Sequence, residues 1–263
     1  MTIHRKNGLS YYTFPVLDEL GVIHGIFMRH GGVSKTPWST LNLATSVGDS
    51  RENVIENRLR ITDCLRCAPD SIYDVWQVHS NEVSYSDTPR ILGTPHQKAD
   101  AVMTTNPNVT LLMLFADCVP ILFYDFEKKV SAIAHAGWQG TVKKVVDTTI
   151  TKMVNDHGCS SASIIACIGP SICVHHYPVG AKVTDSLNGI NISKEDVGYF
   201  DHTQYHLDLQ KINQKLIQET GVTKIYLSGI CTAENTTDWF SHRAEKGITG
   251  RFAAVMTTKK HDD

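Results

Sequence analysis

The sequence predicts a domain in which β-strands and amphipathic helices are mixed. Two patterns carry that expectation. Short apolar runs of strand length recur along the chain, and apolar stripes at three-and-four spacing alternate with them. A third observation sets the scale: 263 residues, 41% hydrophobic and 20% charged, are enough to bury a substantial core as one domain spanning 1–263.

In chain order, residues 11–14 and 22–28 read as strands across a polar turn. The loop Arg29-His30-Gly31-Gly32-Val33-Ser34 follows, glycine-rich and carrying a cation that is a candidate substrate contact. Val54, Ile55, Leu59, Ile61 and Leu65 mark a helix over 52–67, with Asp49 or Ser50 as its cap. Its Cys64-x-x-Cys67 pair has no second CxxC beside it and reads as helix packing.

Residues 74–79 alternate as a strand, which puts Gln77 and His79 on one face. A polar loop fills 86–99, and 99–104 returns to the sheet. Strands follow at 163–168, 224–228 and 252–257, and helices at 179–187 and 207–220, the latter stopped by Gly221. Residues 188–206 are polar and read as irregular. Gly169-Pro170, with His175 and His176 close behind, is either a substrate loop or a surface turn. Arg243 and Arg251, at turns near the end, suit either solvated surface charge or an anion clamp.

The stretch 111–141 organises the rest. Runs at 111–115, 119–124 and 130–136 are strands, and the polar segment 125–129 makes the last two a hairpin. A turn centred between Phe126 and Glu127 puts Cys118 opposite His135, with Cβ atoms roughly 5 Å apart. That separation lets a thiolate and an imidazole share a metal ion, with bonds of about 2.3 and 2.1 Å. It equally allows a Cys–His nucleophile pair, or a buried cysteine beside a satisfied core histidine. A third ligand would come from elsewhere, and His79 is the best-placed candidate. From Thr141 a helix is expected to run to about His157, its first amides opening near His135 where an anion is favoured.

The formal charge of −2 argues against a nucleic-acid partner. No apolar run approaches the roughly 20 residues that span a bilayer. Seven cysteines, an odd number, suit a reducing compartment, so the expected location is cytoplasmic and without membrane.

Together HGIFMRHGGVS at 24–34, GD at 48–49, QVH at 77–79, ADAVMT at 99–104, ADCVPIL at 116–122, AHAGWQGT at 134–141, IGP at 168–170, CT at 231–232, FSHR at 240–243 and TGR at 249–251 resemble the YfiH-type family. That family was once called laccase-domain or multicopper polyphenol oxidase proteins. Its members are regarded as zinc-dependent purine nucleoside phosphorylases with adenosine deaminase activity, and one branch is named peptidoglycan editing factor. The match covers nearly the whole chain, in order.

The resemblance implies an α+β fold of packed mixed β-sheets flanked by helices, similar to a toxin deamidase class. It implies zinc held by His79, Cys118 and His135, with copper able to occupy the same site in vitro. Purine nucleosides and phosphate are then the expected partners, and no protein partner is predictable. Arg29, Arg243 and Arg251 are expected to hold phosphate, with Gln77 and Gln139 in the substrate region. Asp117 is expected to carry a proton or to support the ligands from behind. The rival expectation is a hydrolase or deamidase in which Cys118 is the nucleophile and His135 the base, with peptidoglycan editing as one setting. Copper oxidation of phenols is disfavoured, because the chain has no His-x-His pair.

The chain departs from the family pattern at three points. Gln139 stands where many relatives carry arginine, Ser171 where Cys often follows Gly-Pro, and Pro178 where Glu follows Tyr.

Overall fold

Alternating apolar residues and buried turn carboxylates fold this chain into two six-stranded sheets packed face to face. The structure, a computed structural model, describes residues 1–258. In chain order the elements are β1 (Thr2–Lys6), β2 (Leu9–Thr13), α1 (Pro15–Glu19), β3 (Ile23–Phe27), α2 (Arg51–Leu65), β4 (Ile72–Tyr73), β5 (Val83–Tyr85), β6 (Ala101–Thr104) and β7 (Thr110–Phe115). Then come β8 (Val119–Asp125), β9 (Val130–Ala136), α3 (Trp138–Val142), α4 (Val145–His157), β10 (Ile164–Ile168), β11 (Pro178–Val179) and α5 (Ala181–Ser186). The chain closes through β12 (Gly198–Phe200), β13 (Tyr205–Leu207), α6 (Leu209–Glu219), β14 (Lys224–Leu227) and β15 (Phe252–Thr257).

The first sheet has the order β1-β2-β3-β15-β7-β4 and the second β14-β10-β8-β9-β6-β5, each with parallel and antiparallel pairs. A three-stranded sheet, β11-β13-β12, stands apart. This is the α+β arrangement of mixed sheets with flanking helices.

Side-chain alternation builds the layers. Leu111, Met113 and Phe115 of β7 meet Leu122 and Ile133 of the β8–β9 hairpin between the sheets. Leu112, on the other face of β7, packs with Phe27, Ile61 and Leu65 beneath α2. Ile121 and Ala134 pack outward against Ile150 of α4 and Leu216 of α6. Every residue of β8 and β9 is consequently buried, as expected of strands covered on both faces.

The hairpin register differs from expectation by two positions. Pro120 pairs with His135, and Asp125 with Val130, so the turn is the four residues 126–129. Asp125 causes this: one carboxylate oxygen accepts the Glu127 and Lys128 amides at 2.9 and 2.7 Å, and its carbonyl accepts Lys129 N–H at 2.8 Å. The other oxygen accepts the Ser163 hydroxyl at 2.6 Å, tying the turn to the start of β10.

Four other expectations are corrected. The strand at 74–79 ends at Tyr73, because Gln77 places its side-chain amide on the backbone of Leu114, in both directions, where a ladder would have continued. The helix expected from Thr141 to His157 is two helices broken at Lys144, whose φ is +63°, and it begins earlier, at Trp138. Residues 188–206 contain β12 and β13, each only three residues long and too short for alternation to reveal. Ile55 and Leu59, read as the packed stripe of α2, are exposed at 48% and 43%, because Val54, Ile61 and Leu65 fill the buried face. Ser50 is the helix cap, accepting the Asn53 amide. Among the described residues, no helix is long and apolar enough to cross a membrane.

Burial pushes the Asp125 carboxyl up, but the Lys128 amide, the Ser163 hydroxyl and further amide donors outweigh it and hold the group below the usual carboxylate range. A depressed carboxyl adds stability that is complete above its unfolded pKa of about 4 and is lost as pH falls through the folded value. Asp125→Ala leaves the buried Ser163 hydroxyl and the turn amides of Glu127 and Lys128 without their acceptor. Urea unfolding at neutral pH is expected to register a loss of about 2–4 kcal/mol, shrinking as pH drops below about 4.

Candidate metal and substrate site

Because His135 lies two residues beyond Ile133 on β9, its ring faces the first sheet, with the Phe115 ring 5.4 Å away. Cys118 immediately precedes β8 and reaches the same face. The error of two positions in register therefore keeps both groups on one side, whereas an error of one would have separated them. His79 arrives from the loop after β4, its ring 5.1 Å from that of His135. One donor atom from each of His79, Cys118 and His135 lies within 4.8 Å of the others. Soft thiolate with two imidazoles is a donor set suited to a transition-series metal, and three protein ligands leave a position open.

Asp100, which the sequence reading did not single out, holds this cluster together. Its side chain is fully buried. One carboxylate oxygen accepts the His135 Nδ1–H at 2.9 Å, leaving Nε2 for a ligand. The other accepts the amides of Val78 and Ser80, at 3.1 and 2.6 Å, and the Ser80 hydroxyl at 2.8 Å. The turn carrying His79 is thus hung on the same carboxylate as His135. Burial pushes the Asp100 carboxyl up, yet His135 and Ser80 outweigh it and bring it to about 2. An aspartate flanked by Ala99 and Ala101 at the start of an apolar strand was the available signal.

Backbone geometry is tight here. Asp117 and His79 take left-handed φ values of +84° and +57°, conformations that non-glycine residues adopt at a cost and that cluster at functional sites. At Gly137 a Cβ would lie 2.8 Å from Cys118 Sγ and 3.2 Å from the His79 ring, so only glycine leaves the donors their room.

The donors open into a cavity of about 540 Å³, the size of small-molecule sites. Arg243, Arg251, Gln77, Gln139 and Asp117 line it, together with Trp138, Tyr177 and His242, which the sequence reading passed over as site residues. The Arg243 guanidinium lies over the Tyr177 ring at 4.8 Å and donates to the Pro178 carbonyl at 2.8 Å. Arg251 donates to the Gly250 carbonyl at 2.9 Å, and burial lowers its pKa against the opposing pull of Cys118 and Asp117. Burial, with Arg251 nearby, also lowers the His242 pKa.

Three of the expected residues have partners of their own within the protein. Arg29 is not brought to the cavity: its guanidinium donates to the carbonyls of Ser39 and Thr236 and to the Glu245 carboxylate, and lies over Phe240 at 4.4 Å. A glycine-rich loop suggested a mobile cation, but those partners make it a clasp between distant segments. Asp117 accepts the Thr232 hydroxyl and the Arg243 amide, both at 2.6 Å, so its carboxylate ties two distant segments together beside Cys118. Gln77 reaches the cavity wall with its amide already committed to Leu114.

Burial pushes the Cys118 thiol up, but His135 and His79 outweigh it and draw it down to about 6, while Cys118 and Asp100 raise His135 to about 9 against the effect of burial. Cys67, Cys159 and Cys173 are pushed the other way, to about 11, 12 and 11. In chelator-treated protein at pH 7, iodoacetamide is therefore expected to label Cys118 first, with a half-maximal rate near pH 6. Zinc should protect it, and His135→Ala should move the midpoint upward. Peptide mass spectrometry across a pH series reads both effects.

The family described as multi-copper polyphenol oxidoreductase laccase matches residues 23–259. A Bacillus subtilis protein named purine nucleoside phosphorylase YlmD is 33% identical over 249 residues, 91% of this chain and 89% of that one. One named purine nucleoside phosphorylase from Deinococcus radiodurans is 36% identical over 238 residues, 90% of each chain. Among solved structures, Bacillus licheniformis hypothetical protein YfiH superposes with a TM-score of 0.91 at 29% identity, over 98% of this chain and 99% of that one.

Proposed function

The chain belongs to the family described as multi-copper polyphenol oxidoreductase laccase, and within it we propose that residues 1–263 act as one domain, a zinc-dependent purine nucleoside phosphorylase. The observation that carries this is the convergence of His79, Cys118 and His135 on the floor of a cavity whose wall also bears Arg243 and Arg251. The relatives' names point the same way.

Phosphorolysis joins a phosphate oxygen to the anomeric carbon of the sugar as the carbon–nitrogen bond breaks, its electron pair leaving with the base. The products are a free purine and a sugar 1-phosphate. The chain must supply an anion seat, a floor for the sugar and a face for the base. Arg243 and Arg251 are the cations we assign to phosphate. Trp138 and Tyr177 offer aromatic faces to the purine, and Gln139 an amide to its polar edge. Gly137 leaves the donors their room, and Asp117 holds the turn that presents Cys118. Bound zinc would supply a Lewis acid and an acidified water, so adenosine deamination belongs to the same proposal.

Metal-free, Cys118 and His135 form the thiolate and imidazolium of a cysteine hydrolase. His79 favours the metal reading, since a nucleophile pair has no need of a second imidazole. Multicopper oxidation fits poorly, because the candidate donor groups among the described residues contain at most two imidazoles.

The test is product analysis with adenosine and inosine, with and without phosphate. Free base and ribose 1-phosphate appearing only with phosphate support the proposal, as does their loss in His79→Ala. Arg251→Ala should lower kcat/KM for phosphate about 10- to 100-fold, the worth of one charged hydrogen bond. Intact nucleosides in every tube, with zinc bound, would sink it.

A further inference from the structure

A second set of donor groups lies outside the lining of that cavity, and we propose that Cys173, His176, Cys231 and Glu234 form a second, structural zinc site. One donor atom from each of the four lies within 4.8 Å of the others. His176 Nδ1 sits 3.2 Å from Cys173 Sγ and 3.6 Å from Cys231 Sγ. Tetrahedral zinc with bonds of about 2.1–2.3 Å sets its donors roughly 3.4–3.8 Å apart, so small shifts of these side chains close the shell.

Local structure explains the convergence. Cys173-x-x-His176 spans one 3₁₀ turn, Val174–His176, which folds the imidazole back over the thiol that precedes it. Cys231-x-x-Glu234 spans a second turn, in which Asn235 donates both its backbone and side-chain N–H to the Cys231 carbonyl. These two short turns face each other because a parallel bridge joins Ser171 to Cys231, with Ser171 donating to Ile230 and Thr232 donating to Ser171. The Cys173 amide also donates to Cys231 Sγ, at 3.3 Å, which holds the two segments in register. Cys231 is 4% exposed, whereas His176 and Glu234 lie at the surface, so an ion has an open way in.

Two thiols, an imidazole and a carboxylate make four protein ligands, the closed shell of a structural site, unlike the three-donor set at Cys118. The ion would staple the segment following β10 to that following β14. Both hold Asp117: Ile172 donates its amide to the Asp117 carbonyl at 3.0 Å, and Thr232 its hydroxyl to the carboxylate at 2.6 Å. The staple thereby fixes the wall of the cavity without touching its contents.

The test loads full-length protein with zinc, removes excess by gel filtration and measures metal per chain by mass spectrometry, with cobalt(II) absorption to report thiolate ligation. Wild type is expected to hold two ions. His176→Ala, an exposed position whose change spares the fold, and Cys173→Ser should each hold one, as should His79→Ala through the other site. The double variant His79→Ala/His176→Ala should hold none. A metal content unchanged by His176→Ala and Cys173→Ser overturns the proposal. So does a Cys173–Cys231 disulfide that persists under reductant.

Discussion

The candidate site depends on one buried carboxylate. Asp100 stands where β6 begins, and its two oxygens serve two different segments: the His135 imidazole of β9 and the backbone amides of the turn after β4. A carboxylate buried this deeply is stable only when its lone pairs are filled, and filling them forces His79 and His135 toward a common point. Donors from strand and loop are therefore placed by the same group that sets the tautomer of one of them. The low carboxyl pKa reflects His135 and Ser80 together, and the raised imidazole pKa reflects Cys118 first and Asp100 beside it.

The surrounding architecture supplies rigidity. Cys118 and His135 belong to a hairpin covered on one side by helices and on the other by a second sheet. Such strands cannot tilt or slip without opening a packed interface, so thiol and imidazole keep their spacing. The loops provide the remaining groups, each pinned by committed hydrogen bonds: Gln77 on Leu114, Asp117 on Thr232 and Arg243, Arg29 on Glu245. Left-handed backbone at His79 and Asp117 persists because these bonds over-determine it.

How much of this was legible in the sequence follows from which interactions are local. The hairpin and the shared face of Cys118 and His135 could be read from alternation, which tolerates an even error in register. The turn itself could not, since Asp125 uses Ser163, 38 residues away, to fix it. His79 was a fair candidate for a wrong reason: the strand meant to carry it does not exist, and Asp100, 20 residues beyond Ser80, places it instead. Arg29 looked free beside two glycines, yet Thr236 and Glu245, more than 200 residues downstream, hold its guanidinium. Long-range polar contacts leave no periodic trace, and they are what distinguishes the cavity wall from the clasp behind it.

The most direct test is the zinc affinity of Asp100→Asn, measured by competition with a chromophoric chelator. Asparagine keeps the shape but replaces one acceptor oxygen with an amide that points hydrogens at existing donors. Zinc binding at the His79, Cys118 and His135 set is predicted to weaken about 10- to 100-fold in a protein that remains folded. Affinity equal to that of the wild type would contradict the account, because the ligands would then be placed without the carboxylate.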